Sequence, residues 1–369
     1  MESLVSRNQF IGLDSCTWLY SGAETPTHRG CLDHVMKYLN NKSLGPQGRE
    51  LHSFVEHECK MNIAALLHAK PEDIAFLSNS SEAICAIALS LDLKSGDNVV
   101  INTLEFPSGV LPWLRLKEIG IEVRVVQHKD WQVSISDIIS RVDERTRLVI
   151  TSHVSYLTGA RLDYKQLYSH IQTTNALLLL DATQSLGAVP VDLNHADFIV
   201  SSSYKWLLSM HGLGILAINP RRTQHIRPFT VGWRSVANMF SEDRFESFEL
   251  WGDARKFETG YPSYSTIYSM HFSSKLLLDI GIEETEKYIL ALGTTLIERL
   301  THAGYEVMTP IEPEQRAGNV CIVHPEGEQE ANRLRKENVL LWGGDNRLRA
   351  SVHLFNNSSD IERLMELLE

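Results

Sequence analysis

Three apolar runs between Ala176 and Pro220 constrain the fold of this chain more than any other stretch. The first, Ala176-Leu-Leu-Leu-Leu, stops on Asp181. The second, Phe198-Ile-Val, stops on Ser201-Ser202-Ser203-Tyr204-Lys205, and the third opens on Gly212-Leu-Gly214 and runs to Asn219-Pro220. Short apolar runs bounded by polar punctuation read as strands buried on both faces. Polar groups at the ends of such strands are where open α/β sheets place their sites. The expected class is therefore α/β, with a mostly parallel central sheet flanked by helices.

Taken singly, the polar residues are unremarkable in kind. An aspartate after a strand is often a helix cap, and a lysine after serines is usually solvated. Asp181 and Lys205 stand on successive strand ends, which makes the pair more telling than either member. Lysine can form a Schiff base with a carbonyl. A carboxylate facing a pyridinium nitrogen is the other half of pyridoxal phosphate (PLP) chemistry.

The rest of the chain supplies more of the same pattern. Ile74-Ala-Phe-Leu77, Asn98-Val-Val-Ile-Asn102, Glu122-Val-Arg-Val-Val126 and Arg147-Leu-Val-Ile-Thr-Ser152 read as strands, and residues 51–69 carry apolar residues at helical spacing. Ser78-Asn79-Ser80-Ser81-Glu82 separates a strand from an apolar helix. It is a capping sequence at the least, and its unpaired N–H groups also make an anion site. Helical patterns at 266–279 and 282–303 lead into a smaller α/β domain. Strands are expected there at Tyr305–Met308, 318–323 and 348–354, with a capped helix from Ser358. The division is a large domain of residues 21–264 and a small one of residues 1–20 and 265–369.

Composition excludes several classes. The net charge of −11 lacks the basic footprint of a nucleic-acid binder. The five cysteines are odd in number and irregular in spacing, which argues against a disulfide framework or a zinc site and suits a reducing compartment. No basic-then-apolar start and no apolar run near ~18 residues is present, so a cytoplasmic protein without a membrane span is expected. No Gly-x-Gly-x-x-Gly follows a strand, which counts against a nicotinamide-binding enzyme.

The spaced motifs resemble those of the PLP-dependent class V aminotransferase and cysteine desulfurase superfamily, of fold type I, along nearly the whole chain. The resemblance implies that Lys205 carries the cofactor and then moves the substrate Cα proton. It implies that Asp181 pairs with the ring nitrogen, Gln184 with the phenolic oxygen, and Phe106 with the ring face. Ser80, Ser81, Ser202 and Tyr204 match the phosphate-binding positions. Arg349, in Leu-Arg349-Ala-Ser-Val-His-Leu-Phe-Asn356, matches the arginine that grips the substrate carboxylate, and Tyr156 stands at a cofactor- or substrate-contacting position. A homodimer is implied, with the Phe257–Tyr264 loop near the neighbouring site.

Several positions depart from the pattern. Phe106 replaces a histidine that could move protons, Tyr156 replaces an asparagine, and Tyr204 replaces a histidine. Cys16 and Trp18 stand where small residues are usual, which suggests an altered substrate pocket. The Val339–Arg347 interval has no cysteine to form a persulfide, and its Gly343-Gly344 pair reads as a turn that opens the pocket. The expected function is transamination of a small amino acid. β-Elimination with C–S cleavage, or epimerisation, is the alternative, followed by a PLP-binding protein that has lost catalysis.

Overall fold

The computed structural model describes residues 1–368. Seven strands form the main sheet, in the spatial order Ile74–Leu77, Gly214–Ile218, Phe198–Ser202, Leu177–Asp181, Thr146–Ser152, Asn98–Asn102 and Glu122–Val126. Gly214–Ile218 runs antiparallel to both of its neighbours; the other pairings are parallel. Six strands therefore point the same way, and their carboxyl ends collect at one edge of the sheet.

The apolar runs are strands because both faces are covered. Alternate residues of one strand serve different cores, as the two-residue strand period requires. Leu178 and Leu180 pack with Val55, Ile63, Leu167 and Ile267 on one side. Leu177 and Leu179 pack with Ala83, Ile84, Ile87 and Trp113 on the other. The first side is closed by helices Arg29–Lys42, Pro46–Leu66 and Tyr264–Ile280, which pack on one another. The Tyr264–Ile280 helix thus contributes Ile267, Tyr268, Met270 and Leu277 to the core beneath the main sheet.

A second sheet of three antiparallel strands has the order Trp342–Gly344, Arg347–Ser351, Asn319–Val323. Helices Ile282–His302 and Ser358–Leu368 cover it through Leu292, Leu296, Ile361 and Leu364. Tyr288 in the first of these helices donates its hydroxyl to the Asn356 carbonyl. Trp206, one residue after Lys205, is fully enclosed in this second core. The end of the main-sheet strand is therefore clamped by the smaller unit.

Two local expectations change. Tyr305–Met308 is not a strand: only Val307 bridges, to Ile322, although the Met308 N–H also reaches the Cys321 carbonyl. Gly343 and Gly344 lie within a strand, and the hairpin turns at Asp345-Asn346, both with positive φ (49° and 57°). A side chain at Gly343 would place its Cβ 2.0 Å from the Gly327 carbonyl oxygen. The glycine admits a neighbouring helix start; it does not widen a pocket. Among the described residues no helix is long and apolar enough to cross a membrane.

Candidate active site

The carboxyl ends of the main-sheet strands place their terminal residues together. Ser152 pairs with Asp181, and Leu77 and Ser202 both pair with Gly214. Together they bound one pocket at this edge of the sheet. Ser80, Ser81, Phe106, Tyr156, Asp181, Gln184, Ser202, Tyr204 and Lys205 all line it. Cys16 and Trp18 do not; Trp18 instead donates its indole N–H to the Glu24 carbonyl.

One end of the pocket is built to receive an anion. Helix Ser80–Ser90 starts there, and the Asn79 side chain caps it by accepting from the Glu82 N–H. The N–H groups of its first turn have no intrahelical partner, and the helix dipole favours negative charge at that point. Ser80 and Ser202 hydroxyls are 2.7 Å apart, and Ser81 and Ser108 hydroxyls 2.6 Å. Gly214 lets this turn lie flat on the sheet, because a Cβ there would come within 2.2 Å of the Asn79 carbonyl carbon.

Lys205 occupies the middle. Its amine lies 5.7 Å from the centroids of both the Phe106 and Tyr204 rings, and no hydrogen bond or ion pair among the described residues holds it. Burial lowers its pKa from 10.5 to about 8, with the Arg349 charge acting in the same direction and Asp181 against it. A substantial neutral fraction near pH 8 is what a nucleophilic or proton-moving amine needs. Tyr204 stacks on His211 at 3.9 Å, which fixes its ring. Phe106 is held edge-on to Tyr156 at 5.1 Å.

Asp181 is buried at the far wall. Its Oδ1 accepts the Thr183 N–H at 2.8 Å. Burial raises its pKa, while the Thr183 bonds and the Lys205 charge oppose that rise. Gln184 is more committed than its sequence position implies. Its Oε1 accepts from Trp206 Nε1 and Asn319 Nδ2, both at 3.0 Å, and its Nε2 donates to the Gly22 carbonyl at 2.8 Å. One amide N–H remains for a ligand. Arg349, on the small sheet, does not line the pocket itself; it stands behind Tyr156, with Nη1 donating to the Tyr156 carbonyl at 2.8 Å. Burial brings its pKa down to about 10, and its Nε is buried without a partner.

Sequence reading missed Asn79, Ser108, Ser152, Val154 and Thr183 as lining residues. It also missed the support given by Glu105. That carboxyl accepts from Asn102 Nδ2, the Ser152 N–H and the Ser152 hydroxyl, at 2.5, 2.8 and 2.7 Å. It thereby fixes the turn that presents Phe106. Burial raises its pKa to about 7. The available signal was a lone acidic residue directly before the aromatic one.

The family model for aminotransferase class-V matches residues 17–364, almost the whole chain. The chain belongs to the class-V aminotransferase family. A probable cysteine desulfurase of Methanothermobacter thermautotrophicus is 30% identical, over 95% of this chain and 94% of its own length. An uncharacterised aminotransferase of Schizosaccharomyces pombe is 26% identical, over 99% and 93%. The apo structure of a cysteine desulfurase from Thermococcus onnurineus superposes with a TM-score of 0.90, covering 100% of this chain and 98% of that one at 22% identity. The fold is thus that of fold type I, and this class-V chain is a PLP-dependent transferase or lyase. The donor set fits that cofactor: a helix start ringed by hydroxyls for a phosphate, a lone amine for an aldehyde, and a buried carboxylate for a ring nitrogen.

Proposed function

We propose that this class-V enzyme is an aminotransferase acting on a small amino acid. When bound, PLP supplies an aldehyde for imine formation and a protonated ring that accepts electrons. In this reading Lys205 would hold the cofactor through its aldehyde and would take the proton from the substrate Cα. Asp181 keeps the ring nitrogen protonated. Phe106 covers the ring face, and the free Gln184 N–H serves the phenolic oxygen. The Ser80 and Ser81 N–H groups, with the Ser80, Ser81, Ser202 and Tyr204 hydroxyls, hold the phosphate. Arg349 orients the α-carboxylate beside Tyr156.

The observation that carries this reading is the isolated Lys205 amine between two aromatic rings, on the strand end beside Asp181. It is the basic group best placed to act at Cα, since Phe106 cannot accept a proton. A persulfide route needs a thiol at the site. No cysteine lines the pocket, and Cys321, on the strand paired with Arg349, is fully buried with its pKa raised to about 11 by burial. In this reading a second copy of the chain covers the side that carries the exposed Tyr261.

The test is to incubate the PLP-loaded protein with a panel of amino acids, with and without keto acids, and identify products by mass spectrometry. Amino transfer that requires a keto acid supports the proposal. Pyruvate and ammonia formed without a keto acid would replace it with β-elimination, and loss of stereochemistry alone with epimerisation. An absorbance band indifferent to every amino acid would leave only a PLP-binding protein.

A further inference from the structure

Two buried guanidinium groups share one face of the small sheet. Arg347 and Arg349 stand two residues apart on the strand Arg347–Ser351, so their side chains leave the sheet on the same side. They are 2% and 3% exposed. Trp342 pairs with Arg349 in register, and its ring lies 4.4 Å from the Arg347 guanidinium carbon and 5.4 Å from that of Arg349. Tyr156 completes the group: its carbonyl binds Arg349, and its ring centroid is 5.5 Å from the Arg347 guanidinium carbon. The same Tyr156 is a wall of the pocket that holds Lys205.

These charges are not balanced internally. The Nε of each arginine is buried without a hydrogen-bond partner. Arg349 has no carboxylate partner among the described residues. Among the described residues the one carboxylate beside Arg347 is Asp345 at 3.5 Å, on the hairpin turn and with a side chain 72% exposed; its other polar partner is the uncharged Tyr156 hydroxyl. Two other arginines, one half-buried and one buried, are satisfied. Arg234 is held by Glu56 and Glu258, and Arg316 donates to the Leu290 and Ile311 carbonyls and to Thr294. An enclosed guanidinium without an enclosed counter-charge costs free energy, and two side by side also repel. A substrate α-carboxylate accounts for Arg349 under the proposed function. Arg347 remains.

We propose that Arg347 binds a second anionic group on the substrate. The enzyme then selects amino acids with an acidic side chain, a carboxylate or its sulfinate or sulfonate counterpart, together with the matching dicarboxylic keto acids. Asp345 holds the place of that group when the pocket is empty, and its exposed turn lets it give way. Trp342 and Tyr156 form the apolar walls between the two anion positions. This inference rests on reading Arg349 as the α-carboxylate partner.

The experiment uses the PLP-loaded protein and unreactive acids, so it does not depend on turnover. Succinate and glutarate are titrated against butyrate and valerate, with calorimetry and the cofactor absorbance as readouts. Dicarboxylates should bind at least about tenfold tighter than monocarboxylates of equal length, since charge-assisted pairs to a guanidinium are the strong ones. Arg347→Gln should bring that ratio close to one, and Arg347→Lys should keep part of it. A wild-type ratio near one overturns the inference. So does an Arg347→Gln variant that weakens both acid classes equally with the ratio intact, which means a structural role. If Arg347→Gln does not fold, the wild-type ratio and Arg347→Lys decide. A preserved ratio in a protein that performs no amino transfer would sink the proposed reaction and leave this inference standing.

Discussion

At the residue scale, the role proposed for Lys205 turns on the protonation of its amine. Its pKa falls from 10.5 to about 8 because it is buried beside the Arg349 charge. The neutral amine is the nucleophile, so loading should rise with pH. In cofactor-free protein, borohydride-trapped PLP at Lys205 should increase through a midpoint near pH 8; a midpoint above 10 would show a solvated lysine. The linkage sign follows from the same shift. Between pH 8 and 10.5 the unfolded chain binds a proton that the folded chain does not, so this group's contribution to stability rises with pH across that window and is least below it. Asp181 acts on the opposite side of the pocket. Replacing Asp181 with Asn keeps the shape and removes the charge that is proposed to hold a ring nitrogen protonated. Turnover of Asp181→Asn should fall by about a hundredfold or more, the scale of losing one preorganised electrostatic partner, with a blue- or red-shifted cofactor band as an independent readout. Unchanged turnover with an unchanged band would remove Asp181 from its assigned role.

At the element scale, the junction between strand Gly214–Ile218 and the start of helix Ser80–Ser90 is the most tightly specified part of the site. A methyl at Gly214 meets the Asn79 backbone at 2.2 to 2.6 Å, and backbone cannot rotate away. Gly214→Ala should destabilise the protein by about 1–3 kcal/mol, as overpacking does, and should weaken PLP binding by displacing the Ser80 and Ser81 N–H groups. Thermal melting and cofactor titration check both; a variant that melts and binds like the parent would mean the turn is not needed in its place. The main-sheet strands were legible in the sequence because each is a short apolar run with polar ends, and burial on both faces demands that pattern. The site residues at those ends were legible for the same reason. The small sheet was less so. Gly343-Gly344 has the composition of a turn, and only the approach of the Gly327 carbonyl explains it as strand. Tyr305–Met308 alternates like a strand, but along the edge it meets only the bridge from Val307 to Ile322 forms, flanked by the Met308–Cys321 and Val323–Glu306 backbone bonds. Arg347 carried no signal, since Leu348 between two arginines fits any half-exposed strand until both charges prove buried.

At the scale of the whole molecule, several large aromatic side chains between Phe229 and Tyr261 face solvent. Phe229, Phe240 and Phe245 are 73%, 84% and 87% exposed, and Phe248, Trp233 and Tyr261 are also exposed. Trp233 and Tyr261 meet edge to face at 4.7 Å, and the Tyr261 hydroxyl accepts from Arg49 Nη2 at 2.6 Å. That bond joins the loop to helix Pro46–Leu66, whose Phe54 is exposed as well. Beneath it, Lys60, Arg234, Glu56 and Glu258 form a buried ion-pair network with the Tyr264 hydroxyl, so the loop stands on a rigid base. We propose that the exposed aromatic pair Trp233–Tyr261 on this base belongs to an interface, and a surface equal on every copy is satisfied most simply by a two-fold pairing. Light scattering should therefore give twice the 41.8 kDa chain mass at micromolar concentration. Replacing Trp233 and Tyr261 together with glutamate places like charges across the axis and should yield single chains. PLP affinity should fall in the same samples, because the proposed pairing sets the loop beside the neighbouring site. A wild-type mass of one chain would refute the pairing. A charged variant that separates yet binds PLP as before would keep the dimer and deny the loop any part in the neighbouring site.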